Sequence, residues 1–164
     1  MARLARSVAT LRVIEDNLVP ERISSVLGCT PTHAQRKGDR VPMRESERVV
    51  GFGSWRLDAT DTEPEEVDSQ VSEILAKLTS NLEAWRALGK QFRVELFCGW
   101  FMDEGNEDLS ISPGNMIALG ARGIECNLIF TRPALMLNLA VNSDALRPSA
   151  AARPISANRR LRLR

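Results

Sequence analysis

Cys29 and His33 stand four residues apart in Gly28-Cys29-Thr30-Pro31-Thr32-His33, and His33 is the one histidine of the chain. A thiol and an imidazole at that spacing could ligate a metal, or could pair as nucleophile and base. Neither chemistry is completed. A zinc site needs three or four ligands, and the other cysteines, Cys98 and Cys126, fall on apolar strand positions with no second Cys/His pair beside them. A nucleophile needs an orienting acid and an oxyanion site. Asp39 is close in sequence, but a helix exit followed by a loop holds geometry poorly. His33 therefore reads as a solvated loop histidine, and no metal, cofactor or catalytic residue is expected.

Other chemistry-bearing stretches fail in the same way. The acidic run Asp103 to Asp108 lacks the ligand spacing and closing glutamate of a calcium loop and reads as a strand-to-strand turn. Gly51-x-Gly53 leads into a strand with Trp55 rather than opening a helix, so it is no dinucleotide loop. Arg36, Lys37 and Arg40, with Arg44 and Arg48, make a basic loop that could meet an acidic partner or a phosphate. Asp39, Glu45 and Glu47 balance it, which favours a solvated loop. Trp55, Trp85 and Trp100 sit on apolar faces and are expected in the core. The residues left as a candidate binding site are His33, Arg36, Lys37, Asp39 and Trp55.

The elements that must position these residues follow from periodicity. Ala9, Leu11 and Val13 alternate with polar neighbours and mark a strand with one buried face. Pro20 suits a helix start and Gly28 its end, with Ile23, Val26 and Leu27 on one face. Residues 34 to 47 are polar and read as a loop. Val49, Gly51, Gly53, Trp55 and Leu57 share one face of a second strand, whose glycines indicate a bulge or a close backbone approach. Thr62-x-x-Glu65 has capping-box spacing, and the apolar stripe from Val67 to Leu88 predicts a helix over 65–88 with a second cap at Ser80-Asn81. Phe92 to Met102 is the clearest strand. Leu109 and Ile111 suggest a short return strand, Ser112-Pro113 opens a helix over 113–120, and Ile124 to Phe130 is the last strand.

Each half runs strand, turn, proline-led helix, glycine stop and extended exit. The expected fold is an α+β two-layer sandwich, a mainly antiparallel sheet with helices on one face. Residues 1–132 read as a single α+β domain, 133–146 as an extra helix and 147–164 as a basic disordered tail.

From about Val8 to Phe130 the chain resembles a bacterial family known only as domain of unknown function 4279. The resemblance rests on an ordered set of pieces: Asn17-Leu18-Val19-Pro20-Glu21, Leu27-Gly28-x-x-Pro31-Thr32, Lys37-Gly38-Asp39, Trp55-x-Leu57, the strand from Phe92 to Met102, and Ser112-Pro113 with its helix. Where that family often closes on Asp-x-Tyr, this chain has Asn127-Leu128-Ile129-Phe130 and no tyrosine at all. The resemblance implies a fold and confers no activity.

Composition narrows the function classes. Of 164 residues, 43% are hydrophobic, enough for a real core. The net charge is +1, yet six arginines and no acid follow Asp144, so residues 1–144 carry −5. Three scattered cysteines make no disulfide framework and suit a reducing, cytoplasmic setting. No signal-like run opens the chain, and no apolar run approaches the roughly 20 residues of a membrane span. The expectation is a non-catalytic binding module with a protein partner, in one version an immunity-type protein of bacteria that masks a toxin with an acidic surface. Neither a membrane nor nucleic acid is expected as a partner, and the oligomeric state is left open. The alternative is a small-molecule binder or an unrecognised enzyme with a pocket near His33, Arg36 and Trp55.

Overall fold

Strands and helices here are set by apolar side chains at two spacings, every second residue and every third or fourth. In the computed structural model the chain runs β1 (Arg6–Glu15), α1 (Pro20–Leu27), β2 (His33–Gln35), β3 (Arg40–Pro42), β4 (Glu47–Val49), β5 (Gly53–Asp58), α2 (Val67–Ala76), α3 (Leu82–Gly89), β6 (Arg93–Phe101), α4 (Pro113–Ala121) and β7 (Glu125–Thr131). Residues 6–44, 46–60, 66–101 and 110–131 are described. The Thr62-x-x-Glu65 box, the acidic stretch 103–108, Leu109, the helix expected over 133–146 and the tail 147–164 lie outside them, as does the side chain of Trp100.

Five strands form one sheet in the order β2-β5-β1-β6-β7. The β2–β5, β5–β1 and β1–β6 pairs are antiparallel, and β6–β7 is parallel. The parallel pair requires a crossover, which α4 supplies. β1 and β2 also run the same way, since both oppose β5. Each half is thus a strand, a helix and a parallel strand, with β5 inserted between the two strands of the first half.

Ala9, Leu11 and Val13 of β1, Trp55 and Leu57 of β5, and Val94, Leu96 and Cys98 of β6 project to one face. There they join Ile23 and Leu27 of α1, Val67, Val71 and Ile74 of α2, Trp85 and Leu88 of α3, and Leu119 of α4 in one buried cluster. All four described helices therefore cover the same face, as the α+β two-layer pattern predicts. Polar side chains tie the layers together. Trp55 Nε1 donates to Ser24 Oγ of α1 at 3.0 Å. Gln70 of α2 accepts from Ala9 N at 3.1 Å, supplying that N–H with an acceptor just where β5 ends at Asp58.

Geometry requires glycine at positions 28 and 53. Gly28 ends α1 at φ 70, a left-handed conformation, and its N–H bonds Ser24 O. At Gly53 a Cβ would lie 2.8 Å from both Glu15 O and Leu18 Cβ, so the close approach expected of a strand glycine is real there.

The structure corrects several expectations. The helix expected over 65–88 is two helices, divided at the second cap expected at Ser80-Asn81: Asn81 accepts from Glu83 N and Ala84 N and starts α3 afresh. The loop expected over 34–47 holds most of β2, all of β3 and the first residue of β4, short exposed strands that carry no buried alternation to reveal them. The strand from Val49 to Leu57 is divided between β4 and β5. Ile111 lies in no strand. On β7, Cys126 is exposed and Leu128 is 40% exposed, because an edge strand has a neighbour on one side only. On α4, Leu119 is buried while Met116 and Ile117 face outward.

Candidate binding face

Alternation that sends Leu11, Leu57 and Leu96 into the core sends their neighbours to the other face of the sheet. Among the described residues no helix covers that face. Cross-strand partners share a face, so the register aligns one residue from every strand. His33 opposes Arg56, Arg56 opposes Arg12, Arg12 opposes Glu95, and Glu95 opposes Glu125. At the usual strand spacing this row is about 19 Å long. It is polarised, with His33, Arg56 and Arg12 at one end and Glu95 and Glu125 at the other. A second row, Asp58–Thr10–Phe97–Asn127, runs beside it.

The middle of the row is withdrawn from water. Glu95 is 4% exposed, and Thr10 in the adjoining row 1%. Arg12 Nη2 reaches Glu95 Oε1 at 2.7 Å. The other carboxylate oxygen accepts from Asn127 Nδ2 at 2.7 Å and lies 3.3 Å from Arg93 Nη2. Arg93 also pairs with Glu125 at 3.3 Å. The Arg12 guanidinium stacks over Phe97, 4.0 Å from the ring centre. Burial lowers the Arg12 pKa from its ordinary value, Glu95 opposes that shift, and the nearby charges of Arg56 and Arg93 add to it. Arg12 Nε and Arg56 Nε are buried without a hydrogen-bond partner among the described residues.

At the β2 end, Asp58 gathers three groups. Thr10 Oγ1 donates to it at 2.8 Å. His33 Nε2 lies 3.6 Å away and Arg56 Nη2 3.9 Å away. His33 is mostly exposed, on a strand rather than in a loop.

The residues singled out from the sequence are dispersed. His33 joins the charged row. Trp55 lies on the opposite face, fully buried, because its cross-strand partner is Ala34 and not His33. Arg36 pairs with Glu21 of α1 at 2.7 Å, and Lys37 pairs with Asp16 at 2.6 Å. Asp39 Oδ2 accepts from Arg36 N at 2.7 Å and closes the basic turn. Arg40 pairs with Glu47 across the hairpin at 3.3 Å. His33, Arg36 and Trp55 therefore do not line one pocket. Cys29 packs against the core and its thiol donates to Thr30 O. Sequence reasoning missed Arg12, Arg56, Glu95, Glu125 and Asn127. Their signal was charge at outward positions of well-patterned strands, which does not convey that the register lines them up.

The family model for the domain of unknown function DUF4279 matches residues 5–130, which is 126 of the 164 residues. The chain belongs to this family. No curated protein and no solved structure matches it.

Proposed function

We propose that this member of the family is a non-catalytic protein-binding module that meets its partner with the face of its sheet opposite α1 to α4. The observation that carries the reading is the polarised row His33–Arg56–Arg12–Glu95–Glu125. Withdrawing paired charges from water is a poor route to stability, since desolvation offsets most of the attraction. Charge arranged by sign is a good route to partner choice and orientation. The ends of the row remain open to solvent: His33, Arg56 and Glu125 side chains are 66%, 43% and 57% exposed. A complementary partner places carboxylates opposite His33 and Arg56 and a cation opposite Glu125. Toxin neutralisation is one interaction of this kind, and the −5 carried by residues 1–144 suits a basic toxin.

The test captures a partner by cross-linking from the source cells and compares variants of the purified full chain. Arg56→Glu and Glu125→Lys should each weaken the captured interaction by about tenfold or more. Arg86→Glu, an exposed reversal on α3, should leave it unchanged. Equal binding by all three variants would remove the sheet face as the interface.

A further inference from the structure

The helical layer carries a different feature. Between α1 and α3 lies an apolar groove of about 240 Å³. Its shape follows from the sequence of α3. Ala84, Ala87 and Leu88 stand at helical spacing on one side of the helix, and alanines stand where larger residues would close the gap. Leu88 and Ile23 are buried beneath it, while Val26 on the α1 wall is 42% exposed. Arg22 is the one charged residue among those that line the groove.

The charges nearby are committed elsewhere. Glu21, next to Arg22, pairs with Arg36 at 2.7 Å, and Glu83 pairs with Arg86. The Arg22 guanidinium has no ion pair or side-chain hydrogen bond among the described residues. An apolar trough with a single uncompensated guanidinium at its rim is complementary to a molecule with one anionic end and a hydrocarbon body. The volume falls just below the range of drug-sized sites, which sets a small ligand.

We infer that this groove binds a small apolar monocarboxylate, with its hydrocarbon against Val26, Ala84 and Ala87 and its carboxylate on Arg22. The site is separate from the sheet face and does not depend on the function proposed for that face.

Octanoate, octanol and octylamine can be titrated into the isotope-labelled full chain and followed by amide NMR shifts. Octanoate should bind saturably, with shifts centred on residues 22–26 and 84–91, and should bind about tenfold more tightly than octanol. Arg22→Gln should reduce octanoate to the affinity of octanol. Ala87→Leu, which fills the groove from an exposed helix position, should abolish both without lowering the melting temperature. The inference is overturned if octanoate does not saturate, if octylamine binds as well as octanoate, or if Ala87→Leu leaves binding intact in a folded protein.

Discussion

Arg12 and Glu95 are direct cross-strand partners at the centre of the sheet, 2.7 Å apart, with side chains only 14% and 5% exposed. Each charge is buried on account of the other. Removing one partner strands its mate, at a usual cost of 3–5 kcal/mol. Glu95→Ala should therefore destabilise the domain by about 3 kcal/mol, because Arg12 is left beside Arg56 and Arg93. The double variant Arg12→Met/Glu95→Leu should lose less than Glu95→Ala alone, since no orphan charge remains. Urea titrations of the two proteins provide the comparison. A single variant within about 1 kcal/mol of the parent would mean that water reaches the pair.

Trp55 and His33 lie on neighbouring strands but on opposite faces, and should behave oppositely. Trp55→Ala empties a fully buried site and removes the bond to Ser24 Oγ, which should cost about 4 kcal/mol. His33→Ala removes a mostly exposed side chain and should cost under about 0.5 kcal/mol. Denaturant midpoints in the reverse order would place the core on the wrong side of the sheet.

The contrast shows which parts of the molecule the sequence makes legible. Pro20 and Gly28 bracket α1, and Ser112-Pro113 opens α4, because caps and stops are local chemistry. The buried faces of β1 and β6 follow from alternation alone. β2, β3 and β4 have no such alternation, and backbone bonds such as Thr32 N to Arg56 O and Met43 N to Ser46 O hold them instead. The charged row is illegible for a different reason. Arg12 and Glu95 are 83 residues apart, and only the register of β1 on β6 makes them neighbours. A pocket inferred from the nearness in sequence of His33 and Arg36 to Trp55 fails for the same cause, since one step along a strand reverses the face.

Asp68 should make the docking of α4 sensitive to acid. Its Oδ1 accepts from Ser112 N at 2.8 Å and from Asn115 Nδ2 at 2.7 Å, and these bonds hold its pKa below the usual carboxylate range. A carboxyl with a depressed folded pKa stabilises the protein above its unfolded value, about 3.9. That contribution is lost as pH falls from there through the folded value. The Asp68 contribution should be constant between about pH 7 and 5 and should fall below about pH 4. Glu73, held down by Lys77 and Thr60, adds to the same decline. Asp68→Asn should be less stable at neutral pH and show a shallower loss in acid. Parallel pH profiles for the two proteins would show that Asp68 is not bonded to α4 in solution.

Cys98 should be the least reactive of the three thiols. It is 3% exposed on the inward face of β6, and burial, with a smaller contribution from Cys126, pushes its pKa up to about 12. Thiolate is the reacting form, so the native protein should hold Cys98 inert at pH 8 on both counts. In a Cys29→Ser/Cys126→Ser variant, labelling by a disulfide reagent should proceed only through opening of the structure. Its rate should then rise with urea in step with the unfolded fraction. In the parent protein Cys126, exposed on β7, should label without urea, though slowly, because its own thiol pKa is raised by partial burial and by Glu125. A Cys98 rate that is fast and independent of urea would mean that the β6–β7 pairing opens locally, without unfolding of the core around Leu96.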